Sequence, residues 1–190
     1  CRPIMTSKAD LATTQAQIAL FDRLIINDGV AKVLDVGYAS FERFFTLCEE
    51  IRFADEARKR AFDVIILFPA EAHSAAATTY RQLRLRFLST FVVPVLNEGI
   101  LKGRKVNEHF PFTQGTAMPL QIPVLPPALK PYAERADCTF TEFHAQALME
   151  VPVGHAFELR SWAKRAFLEF RELELRMLLE MLQKSLNNWG

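Results

Sequence analysis

The sequence predicts an α/β protein whose mostly parallel sheet is flanked by helices and followed by a long amphipathic helix at the C-terminus. Four short apolar runs are separated by helical or loop-rich segments, and such an order requires crossover connections and therefore parallel strands. The run at Ala31–Gly37 is continuous apart from Lys32 rather than alternating, as expected of a strand that is covered on both faces. The tail, 155–187, repeats apolar residues at spacings of three and four, which predicts the helix.

The first strand is predicted at Ala31–Gly37, a buried run that ends in an acid and a glycine and carries Asp35 to the edge of the sheet. A helix over about 11–24 precedes it, and the turn signal Asn27-Asp28-Gly29 separates the two. Ser40 is a predicted helix cap for the phenylalanine-rich stretch that follows. In an open α/β sheet, ligands bind where strands end, so Asp35 is the first candidate site residue.

The remaining elements follow from the same patterns. They are a solvated helix over 54–61, a strand over 62–69, a helix over 72–87, a strand over 90–97, a short strand over 121–127 and a helical stretch over about 128–149. Pro94 cannot donate a hydrogen bond to a neighbouring strand, which predicts that its strand lies at an edge or is bulged.

The predicted organisation is an α/β domain over 1–150 and a C-terminal helical arm over 151–190. A helix over 155–187 would be roughly 50 Å long, which exceeds what one small domain needs. The arm could pack on its own domain or on another chain, and the leucines on its flanks favour self-association, for example a homodimer. Its polar side mixes Glu and Arg evenly, which is not typical of a helix that lies on a membrane.

Composition narrows the class of protein. Net charge is +1, so bulk charge does not indicate nucleic acid, and sixteen phenylalanines predict an aromatic core or interface. Three cysteines without a CxxC motif and four scattered histidines indicate neither a disulfide framework nor a metal site. With no apolar run of eighteen residues and no signal-peptide pattern, the chain is predicted to be cytoplasmic and without a membrane span.

Four strand motifs occur in a recognisable order. They read Val-Leu-Asp-Val-Gly, Phe-Asp-Val-Ile-Ile-Leu-Phe-Pro, Val-Val-Pro-Val-Leu-Asn and Ile-Pro-Val-Leu-Pro-Pro. This succession, over roughly residues 20–150, resembles the ParA/MinD group of P-loop ATPases, which includes MipZ-type positioning proteins. The resemblance implies a P-loop-NTPase-like fold, ATP and Mg²⁺ as cofactors, a dimer, and a role in partitioning or positioning DNA or the division machinery.

The resemblance also implies roles for five residues. Asp35 matches the catalytic acid that holds Mg²⁺ through water, and Gly37 matches the small residue of the adjoining switch. Asn97 matches a position that reads the adenine edge, and Pro126 and Pro127 match a turn that flanks the base. From the residues alone, Asp35 is equally a turn-capping acid at a strand end, and Asn97 suits the turn before Glu98-Gly99.

The sequence departs from that family at the phosphate loop. No G-x-x-x-x-G-K-[ST] motif occurs, although backbone amides and a lysine of such a loop are what bind the phosphates. The predicted nucleotide fold is therefore incomplete, and we expect either that an N-terminal segment is missing or that the sheet has closed differently. The chain alone is predicted to hydrolyse no ATP. The alternative is a nonenzymatic interaction or oligomerisation module on a degenerate nucleotide-binding fold.

One further partner is suggested by basic residues in two short stretches. They are Arg81, Arg84, Arg86, Lys102, Arg104 and Lys105. Proteins of the ParA type bind DNA nonspecifically through such surfaces, and phosphates supply the affinity. The alternative is a solvated helix face beside a polar loop.

Overall fold

The computed structural model describes residues 8–104, 106, 118–133 and 152–187. They belong to two compact units. Residues 67–82 and the described residues from 92 onward form the first, which we call the sheet unit. Residues 8–66 and 83–91 form the second, which we call the helical unit. The predicted domain boundary at 150 falls outside the described residues.

Three strands form the parallel sheet. They are β1 (Ile65–Pro69), β2 (Phe91–Asn97) and β3 (Leu120–Ile122), in the spatial order β1-β2-β3. β2 and β3 pair in parallel, with Val95 opposite Leu120 and Asn97 opposite Ile122. The predicted mixed α/β fold, with a parallel sheet, flanking helices and a long C-terminal helix, is confirmed at this level.

Seven α-helices are seen in the described residues. They are α1 (Thr14–Ile25), α2 (Phe41–Glu50), α3 (Phe53–Lys59), α4 (Ser74–Arg86), α5 (Glu98–Leu101), α6 (Lys130–Ala133) and α7 (Val153–Asn187). The predicted helix over 155–187 thus begins two residues earlier and ends where expected. Of the helical stretch predicted over 128–149, the part beyond 133 lies outside the described residues.

The strand predicted at Ala31–Gly37 is wrong. The segment is irregular, and the side chain of Val33 is 96% exposed, so the apolar run is not buried. Lys32 folds back instead: its Nζ donates to the carbonyl oxygen of Ile26 and to Asp28 Oδ1 at 2.9 Å, and it lies 5.2 Å from the centre of the Phe62 ring. A β-strand is stable only when its backbone groups are paired, and hydrophobic composition alone does not supply a partner.

The position of Pro94 also differs from the prediction. β2 lies between β1 and β3 rather than at an edge, and Pro94 is fully buried. The register explains why the proline is tolerated, because pairing with β3 starts at Val95, one residue after the missing N–H.

α7 packs along β3 through one of its faces. Trp162 Nε1 donates to the carbonyl oxygen of Pro123 at 2.9 Å, and Arg176 Nη1 donates to that of Met118 at 3.1 Å. Between them, Glu169 Oε2 accepts the backbone N–H of Gln121 at 3.2 Å. These bonds join side chains of α7 to one backbone N–H of β3 and to a carbonyl group on either side of the strand, and they fix the rotation of α7 about its own axis.

The helical unit has an aromatic core, as the phenylalanine content predicts. Phe21 stacks on Phe44 with ring centres 5.8 Å apart, and Phe45 meets Phe44 and Phe87 edge to face at 5.3 and 5.6 Å. Edge-to-face and offset pairs at such distances add to the stability that burial alone provides. Cys48 is buried in the same unit.

Candidate functional site

The carboxyl edge of the sheet carries three of the predicted site residues. Asn97 ends β2 opposite Ile122 of β3, and Pro126 and Pro127 follow β3 by a few residues. The three therefore belong to one unit and to the edge where open parallel sheets bind ligands.

Asn97 is the N-cap of α5. Its Oδ1 accepts the backbone N–H groups of Gly99 at 3.0 Å and Ile100 at 3.3 Å. A Cβ at residue 99 would approach Oδ1 to 3.2 Å, so the glycine lets the cap close. The sequence left two roles open for Asn97, a structural one in the turn and a contact with adenine. The structure shows the structural role, because the side chain caps α5. Because Oδ1 is occupied, an adenine contact would use the Nδ2 donor alone.

Replacing Asn97 separates these two roles. Asn97→Ala removes the cap and is expected to lower the free energy of unfolding by about 1 kcal/mol. Asn97→Asp keeps an oxygen acceptor at the cap and is expected to stay within about 0.5 kcal/mol of the parent chain in urea titrations. An Asn97→Asp variant as unstable as Asn97→Ala would show that the amide donor, rather than the cap, stabilises this edge.

The loop after β3 is held to the start of α5 by an acidic residue. Glu98 Oε2 accepts the backbone N–H of Val124 at 3.4 Å. Further along, the carbonyl oxygen of Pro126 accepts the N–H of Leu129 at 2.8 Å and closes a 3-10 turn at Pro127–Leu129. The prolines thus shape the turn, and the carbonyl of Pro126 is engaged inside it.

An unpredicted polar pair follows β1 at the same edge. Glu71 Oε2 and His73 Nε2 are 2.7 Å apart, and His73 Nδ1 accepts the backbone N–H of Ala76 at 3.0 Å near the start of α4. Since Nδ1 accepts, Nε2 carries the proton that is donated to the glutamate. The sequence signal was an acid and a histidine two residues apart directly after a strand. Both ring nitrogens are engaged, so His73 serves here as a cap.

Asp35 and Gly37 belong to the helical unit, whereas Asn97, Pro126 and Pro127 belong to the sheet unit. Asp35 is exposed in an irregular segment. Gly37 precedes a 3-10 turn at Tyr38–Ser40 with φ −63°, and nothing lies within 4 Å of a Cβ added there, so the backbone does not require glycine. The Mg²⁺ role of Asp35 and the switch role of Gly37 stay predictions.

The predicted basic surface is partly neutralised. Arg86 forms ion pairs with Glu42 at 3.2 Å and Glu49 at 2.9 Å within the helical unit. Lys105 lies outside the described residues. Arg86 is therefore bound to carboxylates that would compete with a DNA phosphate.

A second candidate site is the face of α7 that points away from β3. The buried stripe of the helix consists of Ala156, Leu159, Ala163, Leu173 and Met177. On the other side lie five leucines that we call the leucine stripe: Leu168, Leu175, Leu179, Leu182 and Leu186. Their side chains are 54–74% exposed. Leu168, Leu175 and Leu182 recur every seven residues, as do Leu179 and Leu186, which is the spacing of a coiled-coil seam.

No helix in the described ranges is both long enough and apolar enough to cross a bilayer. Across residues 8–104, 106, 118–133 and 152–187, no cluster of three or more His, Cys, Asp or Glu side chains is arranged to hold a metal ion. Neither a protein-family model, nor a curated protein, nor a solved structure matches this chain.

Proposed function

We propose that the chain is a nonenzymatic interaction module that self-associates through the leucine stripe of α7. The observation that carries this proposal is the presence of two apolar stripes on one helix. The buried stripe packs within the sheet unit, and the leucine stripe faces solvent. Scattered exposed leucines are ordinary on protein surfaces, but five leucines that recur along one face of a helix form an apolar patch of the kind that marks an interaction site.

The anchoring of α7 makes this row a preformed binding face. The bonds of Trp162, Glu169 and Arg176 to backbone groups around β3 hold the helix in one rotation. A partner therefore meets an ordered helix and does not have to fold it, which lowers the entropic cost of association. The stripe covers fewer than three heptads, so we expect a dissociation constant on the order of micromolar.

Sedimentation velocity of the full chain from low to high micromolar concentration tests the proposal. The parent chain is expected to shift from monomer to a larger species, and Leu175→Glu/Leu182→Glu is expected to remain monomeric because two charges enter the stripe. Gln15→Glu/Gln82→Glu adds the same charge at exposed positions of α1 and α4, outside α7, and is expected to associate like the parent. A parent chain that stays monomeric throughout would refute the proposal.

A second candidate function is a ParA/MinD-like, nucleotide-switched ATPase. It is supported by three parallel strands in the predicted order, with Asn97, Pro126 and Pro127 after their carboxyl ends. In this proposal ATP binds at that edge, Asp35 holds Mg²⁺ through water, the dimer forms with nucleotide, and DNA is a nonspecific partner. The location proposed for either function is the cytoplasm, in keeping with the free, buried Cys48.

Thermal shift distinguishes the two candidates. MgATP or MgADP is expected to raise the melting temperature of the product of the complete reading frame if the second candidate is right, because binding to the folded state stabilises it. Asp35→Ala should then abolish the shift seen with MgATP. If neither nucleotide changes the melting temperature, and association is the same with and without nucleotide, the interaction module is favoured.

A further inference from the structure

We propose that two copies of the chain pair through the leucine stripe in antiparallel orientation, with Leu175 of one copy against Leu179 of the other. This inference rests on the proposed function and adds to it the identity and direction of the partner. It is carried by the one charged residue that interrupts the heptad pattern of the stripe.

The heptad positions follow from the spacing. If Leu168, Leu175 and Leu182 occupy position d, then Leu179 and Leu186 occupy position a. The remaining a position between Leu168 and Leu175 is Glu172, whose side chain is 61% exposed. Arg176 on the same helix has its Nε 4.0 Å from this carboxylate, a distance too long for a hydrogen bond.

The direction of pairing decides the surroundings of Glu172. In a parallel pair, a positions face a positions, so two Glu172 carboxylates would meet in one apolar layer. Like charges in such a layer oppose association. In an antiparallel pair, a faces d, and Glu172 meets Leu182 of the other copy. The two carboxylates are then about 15 Å apart along the helix axis, at 1.5 Å per residue.

The register follows from the overlap of the stripes. Pairing centred near residue 177 places Leu168 against Leu186 and Leu175 against Leu179, so that all five leucines of each copy lie in the interface. The charges of Lys164 and of Arg165, which occupies the preceding position a, fall beyond the end of the overlap. A second copy therefore fits the stripe with four leucines of each copy matched to leucines and the two Glu172 carboxylates separated.

Disulfide trapping tests the direction. Leu175→Cys and Leu179→Cys are prepared singly in a chain with Cys1→Ser and Cys138→Ser, and Cys48 is left in place because it is buried. Each variant is first shown by sedimentation under reductant to associate like the parent chain. Mild oxidation of an equimolar mixture is expected to give a cross-linked heterodimer, and each variant alone is expected to stay mostly uncrosslinked.

The outcomes separate this inference from the proposed function. In a parallel pair, position d faces position d and position a faces position a, so each single variant would cross-link rapidly with itself. That result would overturn the antiparallel arrangement but not the proposal that the chain self-associates. A parent chain that sediments as a dimer but gives no cross-link in any mixture would show that the interface lies elsewhere. A monomeric parent chain would overturn both proposals.

Discussion

Replacing Leu173 with alanine is expected to lower the free energy of unfolding by about 2–5 kcal/mol, because the residue is 4% exposed and the loss of its side chain leaves a cavity within the sheet unit. Replacing Leu175, only two residues away, is expected to change the stability of the monomer by less than about 0.5 kcal/mol. Two residues correspond to about 200° around an α-helix, so the two leucines point in nearly opposite directions. The pair therefore compares the same substitution on the two faces of one helix.

The measurement is urea denaturation followed by circular dichroism, at a concentration where the parent chain is monomeric, together with sedimentation at higher concentration. Leu173→Ala should shift the urea midpoint strongly. Leu175→Ala should leave the midpoint in place and weaken association. Equal destabilisation by both substitutions would mean that Leu175 packs within its own chain, and the leucine stripe would then not be a docking face.

The thiol of Cys48 is expected to resist alkylation in the folded chain. Burial raises the pKa of this thiol from its ordinary 9.0 to about 12, and the nearby Arg86 guanidinium opposes the rise only in part. At pH 8 the thiolate fraction is then lower by roughly 10³ than in an unfolded chain, and the thiolate is the reactive form. Iodoacetamide labelling of a Cys1→Ser/Cys138→Ser chain, with and without denaturing urea, measures the difference. Labelling at the unfolded rate in the absence of urea would contradict this burial.

Because the pKa of Cys48 is raised in the folded chain, the free energy of unfolding is expected to fall as the pH rises through a defined range. Below pH 9 the thiol is neutral in both states, so its contribution is fully present. Between about pH 9 and 12 the unfolded chain loses the proton and the folded chain keeps it, so stability falls by about 1.4 kcal/mol per pH unit. Cys48→Ala removes this slope, and the difference between the two chains cancels other titrating groups. Parallel profiles for the two chains across this window would contradict the shift.

The elements with strong local signals were predictable. The apolar runs at 62–69 and 90–97 contain β1 and β2, because both are rich in β-branched and aromatic residues, which favour strands. The three-and-four spacing of the tail identified α7 to within two residues. Both patterns act over a few residues, which is why sequence alone is enough to recognise them.

The candidate site was predictable only in part. The positions of Asn97, Pro126 and Pro127 after the strands of a parallel sheet follow from chain order. The hydrogen bonds of these residues do not follow from chain order. Asn97 Oδ1 accepts the N–H groups of Gly99 and Ile100 only because of the way the chain turns after β2. The pair formed by Glu71 and His73 was missed for the same reason: an acid and a histidine two residues apart after a strand are only a weak signal, and the loop that brings them within 2.7 Å is not predictable from it.

By itself, the sequence determined an α/β chain with parallel strands, an aromatic-rich core and a long amphipathic helix, because these depend on short-range periodicity and side-chain polarity. Only the tertiary structure decided that Ala31–Gly37 is not a strand and which leucines of α7 are free. A strand is stable only when a neighbouring strand forms hydrogen bonds with its backbone groups. A helix with apolar residues on two faces can bury either face. Both outcomes depend on groups far away in the chain: in α7, the bonds to Met118, Gln121 and Pro123 turned one stripe inward and left the leucine stripe facing solvent.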